Sequence, residues 1–211
     1  HSMGSGTGLA SGFAKLAQFG LTQPILTVCG DSTFYHAVIP ALINAQHNRA
    51  DITFIVLDNA GTAMTGFQPH PGLAVSAMKE AVPAVDIAAI CKAVGAKVAI
   101  SDPFDLEATN KILTNFLADK GSLKVLILRQ ACALSPEKKG KKTFDVKVNE
   151  ALCLGDACGC NRLCTRIFRC PALTWDRNKK KAVVDEVICA GCGVCASICP
   201  QKAISKMEVT R

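Results

Sequence analysis

Nine of the twelve cysteines lie after residue 150, in two groups that each close on a cysteine-proline pair, Cys170-Pro171 and Cys199-Pro200. The second group runs Cys189-Ala-Gly-Cys192-Gly-Val-Cys195-Ala-Ser-Ile-Cys199-Pro200. A tight C-x2-C-x2-C loop supplies three thiolates to a cubane cluster, and the cysteine before proline serves the neighbouring cluster. The spacing therefore predicts two [4Fe-4S] clusters, one on Cys189, Cys192, Cys195 and Cys170, the other receiving Cys199. The chemistry is electron transfer.

The first group offers Cys153, Cys158, Cys160 and Cys164 ahead of Cys170, one cysteine more than the rule requires. Cys164 is the surest ligand. Only Gly159 separates Cys158 from Cys160, so one of the four is a spare or a substitute, and spacing leaves open which of Cys153, Cys158 and Cys160 it is. A disulfide framework fits poorly with an odd number of cysteines, and a cysteine-proline closure is not a zinc habit.

A second set of residues could do different chemistry. Gly30-Asp31-Ser32 follows one apolar run, and Asp58-Asn59-Ala60-Gly61 follows another. An acidic residue and an amide at adjacent strand ends can hold Mg²⁺, which takes hard oxygen ligands and binds substrate phosphates. The run Gly4-Ser5-Gly6-Thr7-Gly8 could bring backbone N–H groups to the same phosphates. The same residues also suit ordinary strand-to-helix turns, and spacing alone does not choose.

The elements that must position these residues are legible. Apolar runs at 25–29, 52–57, 97–100 and 124–128 alternate with helical stretches at 36–47, 85–94 and 104–118. Near-continuous apolar strands between helices predict a parallel sheet buried on both faces, with ligands at the carboxyl ends of its strands. Residues 1–135 are read as this α/β domain, 136–145 as a polar, lysine-rich linker, and 146–211 as a small α+β ferredoxin-like domain. Within the last, 173–175 and 182–184 are read as a hairpin.

With 211 residues and 49% hydrophobic content the chain has room for both domains. No apolar run approaches a membrane span, no signal peptide opens the chain, and the abundance of thiols points to a reducing cytoplasm. The formal charge of +7 falls by about four once two dianionic clusters are bound, so it does not argue for nucleic acid. The lysines at 138–142 and 179–181 are read as solvated loops rather than docking sites. Cys29, Cys91 and Cys132 are read as buried apolar residues.

Gly30-Asp31-Ser32-Thr33-Phe34-Tyr35-His36, Leu57 through Gly66, Gln68-Pro69-His70-Pro71-Gly72 and Gln130-Ala131-Cys132-Ala133-Leu134, together with both cysteine groups, span nearly the whole chain. They resemble the C-terminal part of the large subunit of the indolepyruvate:ferredoxin oxidoreductases, a thiamine diphosphate-dependent 2-oxoacid:ferredoxin oxidoreductase family. The resemblance implies that Asp31 and Asn59 give side-chain ligands and Gly61 a backbone carbonyl to Mg²⁺, with Gly30, Ser32, Met64 and Thr65 also near the cofactor. Met64 then supports the bent cofactor or packs in the core. His70 faces the substrate carbonyl or caps a turn, and His36 lies near the diphosphate.

Thiamine diphosphate supplies a carbanion that adds to a 2-oxo acid, and loss of CO₂ leaves an electron-rich centre that clusters can oxidise. Coenzyme A would take the acyl group and an external ferredoxin the electrons. The glutamate that normally contacts the aminopyrimidine ring has no candidate here. A pyrimidine-binding domain is therefore expected upstream of an N-terminally incomplete chain or in a partner, alongside a smaller subunit in a hetero-oligomer. The isolated chain is expected to be inactive. The other reading is an electron-transfer subunit whose α/β domain is a non-catalytic docking scaffold.

Overall fold

A computed structural model describes residues 2–135 and 141–209. The linker residues 136–140 therefore lie outside the described residues. The chain forms two compact units, His1–Cys132 and Ala133–Arg211.

In the first unit, α1 (Ser5–Lys15) precedes β1 (Leu26–Gly30), and the chain then turns directly into α2 (Asp31–Thr33). A wide π turn over Phe34–Val38 connects it to α3 (Ile39–His47). Pro40 explains the widening, because its ring would clash with the carbonyl four residues earlier in a regular helix. The helical run thus begins five residues before the expected position 36. β2 (Ile52–Asp58), α4 (Ile87–Val94), β3 (Lys97–Ser101), α5 (Leu106–Ala118) and β4 (Leu123–Arg129) follow. Asp86 caps α4 by accepting the N–H of Ala88 and Ala89, and Asp105 caps α5 by accepting that of Ala108.

All four strands are parallel, in the order β1-β2-β4-β3. Phe34, Val38 and Leu42 from the helical run meet Phe54, Val56, Val125 and Ile127 from the sheet, with Ile87 and Cys91 of α4, in a fully enclosed core. The expected burial on both faces holds for β2, where Ile52 through Val56 are all buried. It fails at edge strand β1, which buries Thr27 and Cys29 but leaves Leu26 at 43% and Val28 at 51% exposure. On the other side of the sheet order, α5 packs on β3 and β4.

Lys124 is charged yet 2% exposed, and it is satisfied by Asp51 Oδ1 at 2.5 Å and the Asp119 carbonyl at 2.6 Å. Among the described residues no helix is long and apolar enough to cross a membrane.

The second unit contains two antiparallel pairs. β5 (Phe144–Val148) pairs with the last strand, β8 (Ile204–Glu208), and β6 (Leu173–Asp176) pairs with β7 (Lys181–Val184). A short helix, α6 (Val194–Ile198), precedes β8. The 173–184 hairpin is where the sequence places it, with Leu173 opposite Val184, and Asp176 closes its turn by accepting the N–H of Asn178 and Lys179. Phe144 and Asp145, within the stretch read as linker, belong to β5. Val146, Leu173, Cys195 and Ile204 form the small core, with Cys164, Cys170, Cys189 and Cys199 packed around it.

Candidate functional site

β1 and β2 run side by side and end together, Gly30 opposite Leu57, so Asp31 and Asn59 emerge at the same sheet edge. Asp31 is 1% exposed. Its Oδ1 accepts the N–H of Ser32 at 2.7 Å, while Oδ2 accepts those of Asn59 at 3.0 Å and Gly61 at 3.4 Å. His70 Nε2 lies 3.1 Å from the same Oδ2 but makes no well-aligned hydrogen bond. The other ring nitrogen, Nδ1, accepts the Gly72 N–H at 3.1 Å, which places the proton of a neutral ring on the side facing Asp31. Burial alone would raise the Asp31 pKa, but His70 and the N–H groups of Ser32 and Gly61 outweigh it and hold the carboxyl below its ordinary value.

The segment after β2 is folded onto this edge. Thr62 and Gln68 form an antiparallel bridge, Thr65 Oγ1 donates to Gln68 Oε1 at 2.6 Å, and Gln68 Nε2 returns to the Thr65 carbonyl at 2.7 Å. Thr62 Oγ1 donates to Ser32 Oγ at 3.0 Å, tying the loop to the residue after Asp31. Met64 sits at the loop tip, 95% exposed, and so is not a core methionine. Beyond β4, Gln130 and Cys132 donate backbone N–H groups to the carbonyls of Asp58 and Asn59, both at 3.0 Å. His36 is exposed on the π turn.

The glycines near α1 serve packing. A Cβ on Gly4 would lie 2.8 Å from that of Ala37, and one on Gly6 would lie 2.7 Å from Thr27 Oγ1, so they let α1 approach the helical run and β1.

In the second unit Cys153, Cys158, Cys160, Cys164 and Cys199 line one shared hollow. Cys170, Cys189 and Cys192 gather around Cys195, whose thiol is pushed up to about 11 by burial and then by those three neighbours. Cys199 thus lines the hollow with the first group, and Cys170 neighbours Cys195 of the second.

Residues 1–127 match the family described as thiamine pyrophosphate enzyme, C-terminal TPP binding domain. The chain belongs to this thiamine pyrophosphate enzyme family. Residues 182–205 also match the 4Fe-4S binding domain, a match that includes the second cysteine group and omits the first.

Three similar proteins carry the name indolepyruvate oxidoreductase subunit IorA. The protein of Thermococcus kodakarensis is 42% identical over 193 residues, covering 88% of this chain and 28% of that one. Those of Archaeoglobus fulgidus and Methanothermobacter marburgensis are 38% and 39% identical, each covering 96% of this chain and 31% of the relative. The chain therefore spans less than a third of the length of these relatives.

The residues at the sheet edge fit the divalent cation that accompanies a bound diphosphate. Asn59 Oδ1 is a buried acceptor without a hydrogen-bond partner among the described residues, a costly state that a cation would relieve. Among the described residues Asp31 Oδ1 meets only the Ser32 N–H, and the Gly61 carbonyl accepts only the Ala63 N–H at 2.8 Å, so both keep a lone pair. All are hard oxygen donors of the kind Mg²⁺ selects. Among the described residues no three His, Cys, Asp or Glu side chains converge to hold a single ion. Neither site needs such a group, because the oxygen set has one carboxylate and a cubane spreads its thiolates over four irons.

Sequence reasoning gave no role to Tyr35 or Arg129. Tyr35 stacks on His70 at 5.4 Å and 28°, and its hydroxyl donates to the Val85 carbonyl, clamping His70 against Asp31. Arg129 Nε donates to Asp58 Oδ2 at 2.7 Å, fixing the residue before Asn59. The only signal for Tyr35 was its place one helical turn after Asp31.

Proposed function

We propose that this chain holds the cofactor diphosphate and relays electrons in a thiamine diphosphate-dependent 2-oxoacid:ferredoxin oxidoreductase acting on an aryl pyruvate such as indolepyruvate. The products are the acyl-CoA and CO₂, with electrons leaving through two [4Fe-4S] clusters to ferredoxin. One observation carries the reading: the partnerless Asn59 Oδ1 beside buried Asp31, in a chain that also brings nine cysteines into two gatherings.

When bound, the cofactor supplies the nucleophilic carbon and the electron sink for decarboxylation. Asp31 and Asn59 hold Mg²⁺ by their side chains and Gly61 by its carbonyl. Gly30 and Ser32 shape the turn at the diphosphate. His70 orients Asp31, since its ring faces that carboxylate with its side chain 1% exposed. Thr65 and Gln68 stiffen the loop that carries Met64 outward, where the side chain is free to meet the cofactor.

Cys170, Cys189, Cys192 and Cys195 hold one cluster, and the thiols lining the hollow hold the other. A pyrimidine-binding domain, upstream or on another chain, completes the active site. A smaller subunit and ferredoxin are the further partners, in a reducing cytoplasm.

The test is methyl viologen reduction by the anaerobically purified native complex, with indolepyruvate, phenylpyruvate, pyruvate or 2-oxoglutarate. Each is assayed with and without coenzyme A and thiamine diphosphate. Reduction that favours an aryl substrate and requires both additions supports the proposal. Absence of reduction with every 2-oxo acid, despite intact clusters, would make the chain an electron-transfer subunit on a docking scaffold.

A further inference from the structure

Given the reading that electrons leave this chain through its clusters to a ferredoxin, we propose that the acceptor docks on a basic face outside the first cysteine group, built by Arg162, Arg166, Arg169 and Lys180, and that this face selects an acidic iron-sulfur carrier. From Glu150 to Lys181 the chain carries seven lysines and arginines against three acidic residues. Near the second group Asp185 and Glu186 are offset by Lys142 and Lys206, which lie against Gly191 and Gly193. The excess of positive charge thus belongs to one cysteine group.

These cations are tied to the hollow and to one another. Arg162 lines the hollow together with Trp175 and Cys160, yet its side chain is 35% exposed, so it reaches from the hollow to the surface. Its guanidinium lies 4.2 Å over the Trp175 ring and is fixed by Asp156 Oδ1, at 2.9 Å from Nε and 2.8 Å from Nη2. The Arg166 N–H donates to the Arg162 carbonyl at 2.8 Å, which sets Arg166 one helical turn on, and Arg169 Nε donates to the Arg166 carbonyl at 3.0 Å. Lys180 joins them through Gly155, where a Cβ would overlap the Lys180 carbonyl and touch the Trp175 ring at 3.9 Å.

Arg166, Arg169 and Lys180 are exposed and pair with no carboxylate among the described residues, whereas Lys179 and Lys181 turn to Glu150. Ile167, between the two arginines, is 67% exposed. An apolar spot rimmed by arginine suits a docking surface, and unpaired surface cations steer an acidic partner. Redox encounters bury little area and so depend on such steering. Electron tunnelling weakens steeply with distance, so a carrier must dock where a cluster approaches the surface, and Arg162 is both wall of the hollow and part of this face. In each encounter one electron leaves the reduced first cluster and enters one cluster of the carrier. Two such transfers discharge the electron pair released by one 2-oxo acid.

The experiment uses the full complex, purified anaerobically, with a small acidic two-[4Fe-4S] ferredoxin as the probe. Its Kd is measured by surface binding at low and high salt, and its KM and kcat in the 2-oxo acid assay. The variants are Arg166→Glu with Arg169→Glu, Lys180→Glu and, at the other cysteine group, Glu186→Lys. Iron content and methyl viologen reduction, which needs no docking, report whether the clusters of each remain intact. The arginine pair should weaken ferredoxin binding about tenfold or more at low salt and raise its KM alike, and Lys180→Glu about fivefold, with both gaps shrinking at high salt. Glu186→Lys should stay within about twofold of wild type. Wild-type ferredoxin affinity in the patch variants with full iron, or a change in Glu186→Lys as large as theirs, would overturn the inference. Lys180→Glu, on a separate element, decides the case if the arginine pair loses iron. Wild type that reduces methyl viologen with no 2-oxo acid would instead overturn the reading beneath it.

Discussion

The backbone N–H of Asn59 reaches Asp31 Oδ2 across 3.0 Å, joining the ends of two adjacent parallel strands through a buried carboxylate. The side-chain oxygen of Asn59 is buried beside it with no hydrogen-bond partner among the described residues. Asp31→Ala should abolish retention of thiamine diphosphate and Mg²⁺, and Asn59→Ala should weaken it by about tenfold or more, in line with the loss of one charge-assisted contact. Fluorescence of the cofactor released after desalting measures both. Iron content should be unchanged, because the nine cysteines of the two groups lie in the other compact unit.

Gly72 has no room for a side chain. A Cβ there would lie 2.5 Å from Tyr35 Oη and 3.0 Å from His70 Cε1. Gly72→Ala should therefore lift Tyr35 off His70 at a cost of about 1–3 kcal/mol. Hydrogen exchange over residues 70–85 should accelerate, and cofactor retention should fall. Unchanged exchange would contradict the clamp.

Asp51 and Lys124 give a pH-dependent prediction away from either site. Burial would raise the Asp51 pKa, but the hydrogen bond from Lys124 and the Gly121 N–H hold it below its ordinary value. A lowered folded pKa gives stability that is present above the unfolded value and lost as pH falls through the folded one. Asp51→Asn should thus cost about 2 kcal/mol at neutral pH, because Lys124 stays buried with one partner fewer. The gap from wild type should hold above about pH 5 and close in more acid solution. Thermal melts across pH check it.

Cys29 and Cys91 should be chemically silent in the folded protein. Burial, then the charge of Asp31, pushes the Cys29 thiol up to about 12, and burial, then Asp86, does the same for Cys91. Iodoacetamide at pH 8 should label neither residue before denaturation and both after it, as mass spectrometry would show.

Much of this was legible in the sequence, for reasons that differ by residue. Apolar runs between amphipathic stretches report a parallel sheet because both faces of β2 are covered, yet the same rule misreads Val28 on edge strand β1, which is half exposed. Asp31 and Asn59 could be marked because strand ends collect ligands. The place of His70 could not, because it depends on the course of the chain from 61 to 72 and on Tyr35 stacking behind it. The second cysteine group follows a regular spacing, whereas the first, with one cysteine more than the rule requires, does not.

The central claim is that oxidation of a 2-oxo acid at the Asp31 edge reduces the clusters of the same chain. Freeze-quench EPR of the anaerobic complex, mixed with indolepyruvate and coenzyme A without an external acceptor, tests it directly. The account predicts a reduced cluster signal within one turnover in wild type holding thiamine diphosphate, and none in Asp31→Ala with its full iron content. A signal of equal size in Asp31→Ala, or none in wild type with any 2-oxo acid, would contradict it.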